Sequence, residues 1–289
     1  MRHFRQYSFG TVMGFSGSAV SQEGGGGGEP TQETIIAQSS RMTFSFRLLN
    51  ADYVGNCVRL RRVSDQAESN FGFSGGYLDT AAVESWAAGA SLRMVTWFDQ
   101  SGNGNNATNG TATVQPTFQI TSGVAYYLGT GTQYLETVEI NVFMTGNPYF
   151  CNAVLYPTST GRNYFMGSLS NIGGTSGNSI IHNGIRSNVR VDHNHWANDS
   201  NYSTTITANV LQIHQIEFNN PGSEYTLNGT SLGTRTNPTA LDDNAMLTVG
   251  RGSAWGTIGS IYEWILHSGA TSTLPDDVTT MMNNYYGVF

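Results

Sequence analysis

Lysine is missing from this sequence. All 13 basic residues are arginine, and charged residues make up 11% of the 289 positions, where about a quarter is usual. Solubility must then rest on Asn, Thr, Ser and Gly, a surface that packs polar edges against neighbours with little desolvation of charge. Cysteine is nearly absent too. Cys57 and Cys151 are too few for a disulfide framework and read as two buried thiols. A net charge of −7 leaves no basic face to neutralise phosphates, so nucleic acid is not expected as a partner. No apolar run approaches the roughly 18 residues of a membrane span, and no membrane insertion is expected. No repeat of roughly 20–50 residues is visible, which argues against a solenoid or propeller. Behind Arg2 and Arg5 the apolar stretch is broken by Gly10, Thr11, Gly14, Ser16 and Gly17, so a secretory leader is not expected.

What is present divides the chain in three. Residues 1–23 carry Phe4, Tyr7, Phe9 and Phe15, too many aromatics for a tail meant to stay solvated, and read as a docking arm. Residues 24–40 open on Gly24 to Gly28 and Glu29-Pro30 and read as a flexible linker. Residues 41–289 follow a β pattern of short apolar runs bounded by Gly, Asn, Ser and Thr. Asn228-Gly229 sits between two alternating runs, a hairpin signal because a type I′ turn needs positive φ at both central residues. Two helices are expected, over DTAAVESWAAG (Asp79 to Gly89) and over LPDDVTTMMNNYY near the end. Many strands, few helices and no βαβ rhythm predict an all-β antiparallel sandwich with an extended N-terminal arm.

Two stretches carry a family resemblance. VLQIHQIEF, EYTLNGTSLG, LTVGR and then GSIYEWILH followed by a short helix resemble the laminin-G-like, concanavalin A-like jelly rolls. CVRLRRVSDQAESNFGF, LDTAAVESW and VTWFDQSGNGNNATN are similar to the catalytic sandwich of the α-L-arabinofuranosidase B family, a block that also occurs in bacteriophage tail and virion proteins. Together they span roughly residues 42–289 and imply a concanavalin A-like fold, one that hosts enzymes, lectins and structural modules alike.

The arabinofuranosidase resemblance implies a retaining glycosidase with two carboxyls roughly 5–5.5 Å apart. The segments that match its two catalytic positions, GNSIIHNG (Gly177 to Gly184) and GRGSAWGTIGS (Gly250 to Ser260), contain no Asp or Glu. Asp192, Asp199, Glu217, Glu224, Asp242, Asp243 and Glu263 remain, and no pair among them is nominated by sequence. Glu263 falls on the jelly roll's G-x-I-x-E position and reads as scaffold.

After Thr96-Trp97-Phe98, Asp99 opens a loop of Ser, Gly and Asn. It reads as a tight turn whose carboxylate accepts from amides between Ser101 and Asn105, with Gly102 or Gly104 at positive φ. The competing reading is a weak calcium site on Asp99, Asn103 and Asn105, and no other cofactor is expected. Asp192, His193, His195, Trp196 and Tyr202, with Trp255, form the carbohydrate-contact candidates, because aromatic faces stack on sugars and polar side chains bond hydroxyls. Arg59, Arg61 and Arg62 beside Asp65 and Glu68 read as an ion-paired sheet face.

With no acid pair in view, the residues favour a non-enzymatic structural virion protein of a bacteriophage. It would be a homo-oligomeric capsid decoration or tail-fibre appendage, made in the host cytoplasm and held to other virion proteins by its arm. It would touch host-surface polysaccharide. The alternatives are a glycoside hydrolase of the arabinofuranosidase type and a stand-alone carbohydrate-binding module.

Overall fold

The computed structural model describes residues 30–139, 148–168, 181–195, 198–219, 222–236, 246–252, 255–269 and 274–289. The arm residues Phe4, Tyr7, Phe9 and Phe15 and the glycine run lie outside them. Inside the stretch read as linker, α1 (Gln32–Ser39) forms. Thr31 caps it by accepting from the Thr34 amide at 3.2 Å, and Ile36 and Ala37 are buried. Two side chains buried against a sheet give this segment a reason to be helical that the glycine run lacks.

Along the chain follow β1 (Met42–Ser45), β2 (Val58–Arg62), β3 (Glu68–Phe71), β4 (Phe73–Ser74), β5 (Tyr77–Leu78) and α2 (Thr80–Ala87). Next come β6 (Leu92–Trp97), β7 (Ala107–Thr108), β8 (Thr117–Thr121), β9 (Val124–Thr130) and β10 (Leu135–Glu139). The middle holds β11 (Tyr149–Pro157), β12 (Asn163–Ser168), β13 (Ile181–Ser187), β14 (Arg190–His195) and β15 (Asn198–Ser203). Then come β16 (Gln212–Phe218), β17 (Gly222–Leu227), β18 (Thr230–Thr236) and β19 (Met246–Val249). β20 (Arg251–Gly252), β21 (Trp255–Gly256), β22 (Ile258–Ser268) and α3 (Leu274–Tyr286) close the chain.

The named strands pair antiparallel, as the sequence predicts. One run of neighbours is β18–β17–β16–β11–β22, with β1 and β9 sharing the other edge of β22. The second is β15–β14–β13–β12–β19–β10–β7–β6–β2–β3. β8 pairs with both β6 and β9, so the two runs join and the sheet nearly closes on itself. Their facing sides build one large core, in which Phe165 of β12 meets His214 of β16 and Tyr202 of β15 meets Tyr225 of β17. The other side of the first run carries a second apolar cluster, where α1 and α3 pack on Phe150, Val154, Ile213 and Ile265. The matching side of the second run has no helix over it among the described residues.

Local expectations fare well. Both helices form, α2 capped by Asp79 accepting from the Ala82 amide at 3.0 Å. Asn228 and Gly229 take φ of 48° and 70° between β17 and β18, the paired positive values of a type I′ turn. Arg59 and Arg61 both bond Glu68, and Arg62 bonds Asp65. Cys57 and Cys151 are free and buried, and burial pushes both thiols well up.

Two buried histidines make stability depend on pH. His214 Nε2 donates to Gln212 Oε1 at 2.9 Å and its Nδ1 accepts from the Tyr225 hydroxyl at 2.6 Å. Burial pushes its pKa from 6.5 down to about 3, and that of His267 down to about 4 against a weaker opposing bond to the Ile36 carbonyl. The unfolded chain therefore takes up these protons first. Stability from this source is complete above about pH 6.5 and falls as pH drops toward 3. We expect the urea midpoint to fall between pH 7 and pH 5 while the His214 ring resonances stay unshifted. A His214 that titrates near its ordinary value in the folded chain would overturn this.

Candidate functional site

The helix-free side of the second run carries a buried charge. On β14, Val191 and His193 face the core, where His193 Nε2 lies 2.8 Å from the Tyr149 hydroxyl. Arg190 and Asp192 alternate with them and so face the open side. The ladder sets Asp192 against Gly184 of β13 and Asn201 of β15, and Gly184 against Tyr164 of β12. Arg190 Nε donates to Asp192 Oδ1 at 2.9 Å, and Arg186 Nε stands 3.7 Å from Oδ2. Arg186 Nη1 also donates to the Tyr164 hydroxyl at 3.2 Å. Asp192 is fully buried, while Arg186 and Arg190 keep 28% and 34% of their surface.

An aromatic platform adjoins this group. The Arg162 guanidinium lies 3.9 Å above the Trp255 ring, and Trp255 is 41% exposed. Burial pushes the Tyr164 hydroxyl's pKa up, with Arg186 and the Arg162 charge opposing. The strip thus offers a fixed carboxylate, three guanidinium groups and an exposed indole, a set suited to a hydroxyl-rich ligand. Two cations pair with this carboxylate, and among the described residues no three His, Cys, Asp or Glu side chains gather to hold a metal ion.

Of the carbohydrate-contact candidates, Trp255 is exposed in the separate β20–β21 ribbon, and Asp192 stands on this side. His193 and Tyr202 do not: both are fully buried, and the Tyr202 hydroxyl donates to the Ser223 carbonyl at 2.9 Å. The side chain of His195, and Trp196 as a whole, lie outside the described residues. The cluster spans two paired strands, and pleating sends alternate side chains into the core. Arg162, Tyr164, Arg186 and Arg190 were missed; the alternation of Arg190, Val191, Asp192 and His193 was the available signal for the last.

Other acids form a second group that the sequence did not nominate. Glu217 of β16 is directly opposite Glu224 of β17. Burial raises the Glu217 pKa; Gln215 opposes, and the charges of Glu224 and Asp276 add to the rise. This pair sits on the side of the first run that α3 packs against, bonded by Gln215 and by the Ser231 hydroxyl. Asp242 and Asp243 lie outside the described residues.

The Asp99 loop is a tight turn. Asp99 Oδ1 accepts from the Ser101 and Thr43 amides, both at 2.9 Å, and Oδ2 from the Asn105 amide at 3.0 Å and the Ser101 hydroxyl at 2.7 Å. The calcium candidates Asp99, Asn103 and Asn105 are all bonded within the turn and to β1's approach. Both carboxylate oxygens are engaged, and the Asn103 and Asn105 side-chain amides donate to the Ser40 and Arg41 carbonyls.

No protein-family model matches the sequence, and no curated protein does. Solved structures do resemble the fold. One is an arabinofuranosidase complexed with arabinofuranosyl-α-1,2-xylobiose, at TM-score 0.68 and 15% identity over 89% of this chain and 65% of that one. Another is a GH54 α-L-arabinofuranosidase soaked with a cyclic sulfate inhibitor, at TM-score 0.68 and 14% identity with the same coverage. This chain therefore spans 65% of the length of either. At such identity the likeness establishes a common β fold. It corrects two expectations, the virion appendage and the absence of an enzyme. The fold of these arabinofuranosidase structures covers 89% of this chain, and nothing in these likenesses points to a capsid or tail fibre.

Proposed function

We propose that this chain is a glycoside hydrolase of the arabinofuranosidase type, built on a concanavalin A-like jelly roll. Its polysaccharide substrate lies across the open face around Asp192. One observation carries the reading: a fully buried, arginine-paired carboxylate on a sheet face with no helix over it among the described residues. Burying an ion has an effective penalty of several kcal/mol, and a charge held there in the open half of a scaffold marks a working site. Its ladder position supports the same reading. Asp192 stands opposite Gly184, the last residue of the segment that resembles the family's nucleophile strand.

Within this reading Asp192 is the anionic partner of the reaction, held by Arg186 and Arg190, and Trp255 is the stacking platform for a neighbouring sugar. The reading names Asp192 as one of the two carboxyls that the resemblance implies.

The test is release of 4-nitrophenol from 4-nitrophenyl α-L-arabinofuranoside by the full chain, with melting temperatures measured on every variant. Turnover should be lost in Asp192→Asn and kept in Glu217→Gln. The reverse pattern would move the centre to the Glu217–Glu224 pair, and a folded wild type inert on arabinofuranosyl substrates would end the hydrolase reading.

A further inference from the structure

A cavity lies away from the Asp192 face, on the first run of strands beside α3. It has a volume of about 350 Å³, and its walls include Tyr77, Tyr262, Tyr285, Arg47, Thr80 and Ser122. The tyrosines form a connected series. Tyr77 meets Tyr285 at 6.3 Å between ring centres, Tyr285 meets Tyr286 at 4.7 Å, and Tyr286 meets Tyr262 at 6.1 Å. Tyr77 at the mouth is 49% exposed. Ser122 takes φ of 52° in the turn between β8 and β9, which puts a short hydroxyl side chain at the rim.

The cavity's charge is already spent. Arg47 is the cation in the wall, and its donors go to Glu263 through Nε at 2.8 Å and Nη2 at 3.0 Å, and to Glu33 through Nη1 at 2.8 Å. Its guanidinium lies 4.3 Å above the Tyr285 ring. An anionic ligand would have to displace a buried carboxylate, and a cationic one would meet Arg47. What remains is a neutral, mostly apolar hollow with aromatic faces and hydroxyls at its rim. A sugar ring has the complementary chemistry, a C–H face for the rings and hydroxyls for the edge. The volume falls in the range of ligand sites, roughly 300–1,000 Å³.

We propose that this tyrosine cavity is a second binding site, for a neutral sugar unit, separate from the Asp192 face. It would hold a glycan on the helix-bearing side of the fold, whatever chemistry the opposite side performs.

The test is NMR on the full chain with ring-labelled tyrosine, titrated with methyl α-L-arabinofuranoside, xylobiose and, as a flat aromatic control, p-cresol. The expected result is saturable shifts in Tyr77 and Tyr285 with at least one of the sugars. Affinity should weaken about tenfold or more in Tyr77→Ala, equivalent to about 1.4 kcal/mol, and stay unchanged in Asp192→Asn. Tyr77 is half exposed, so its truncation spares the core; Ser122→Ala serves as a second, milder variant at the rim. Shifts with p-cresol alone, no shift with either sugar, or binding abolished by Asp192→Asn instead of Tyr77→Ala would each overturn the proposal.

Discussion

Replacing Glu263 by Ala is expected to lower the unfolding free energy by about 3–5 kcal/mol, the cost of breaking a buried ion pair from one side. Glu263 is fully buried and Arg47 is 6% exposed. The carboxylate accepts from Arg47 Nε and Nη2, from the Ser45 hydroxyl at 2.8 Å and from the Tyr286 hydroxyl at 3.3 Å. Burial opposes the Arg47 charge, but Glu263, with Tyr286 and Glu33, holds its pKa above the ordinary value. Removing the carboxylate strands a guanidinium between β1, α1 and α3, with only Glu33 left to pair it. The double variant Glu263→Leu/Arg47→Met should recover much of the loss, because replacing a buried pair with apolar groups of similar volume is often neutral or stabilising. Urea denaturation of the singles and the double measures this directly. A Glu263→Ala chain within about 1 kcal/mol of the wild type would show that the pair contributes little.

That pair illustrates which parts of the molecule sequence could reach. Glu263 was legible as scaffold from its place in a jelly-roll strand, but Arg47 was not. It lies two residues past β1, and only the fold brings it to Glu263, 216 positions away. The Asn228-Gly229 hairpin, the helix over Asp79 to Gly89 and the ion pairs of Arg59, Arg61 and Arg62 with Glu68 and Asp65 were legible because each is settled within a short stretch of chain. α1 was hidden by its neighbours: the glycine run before it suggested a joint, while the two residues that bury it, Ile36 and Ala37, find their partners on strands far along the chain.

The site was half legible for a related reason. Asp192 drew attention as part of a polar, aromatic cluster, and it is on the open face. Which side of β14 it occupies depends on a register with β13 that passes through a bulge between Ile185 and Ser187. That bulge is also where Arg186 is placed, so no simple period pointed to it. The virion expectation rested on two resembling segments that carry no Asp or Glu. Asp192 stood among the remaining acids, but its partner Arg186 reaches it only through the β13–β14 pairing, which no local pattern signals.

Asp99→Ala should be the most damaging change outside the Arg47–Glu263 pair, at about 3 kcal/mol, because it leaves more than one group unpaired at about 1–3 kcal/mol each. Asp99 is 2% exposed, and its carboxylate does two jobs. It closes the turn through the Ser101 and Asn105 amides, and it accepts from the amide of Thr43, tying the loop to β1. Asp99→Asn separates these. An amide oxygen in the place of Oδ1 keeps the Thr43 and Ser101 bonds, but an NH₂ in the place of Oδ2 confronts the Asn105 amide, so the loss should be intermediate. Gly104, at φ of 75°, tests the turn from the other side. Nothing lies within 4 Å of a Cβ added there, so Gly104→Val is penalised through backbone conformation and not through a clash. Gly104→Asn, a residue that tolerates this region, should cost much less than Val. Thermal melts with and without calcium complete the series. The turn reading expects calcium to leave the wild type unchanged; a melting temperature raised by calcium in the wild type and not in Asp99→Ala would make this loop a metal site.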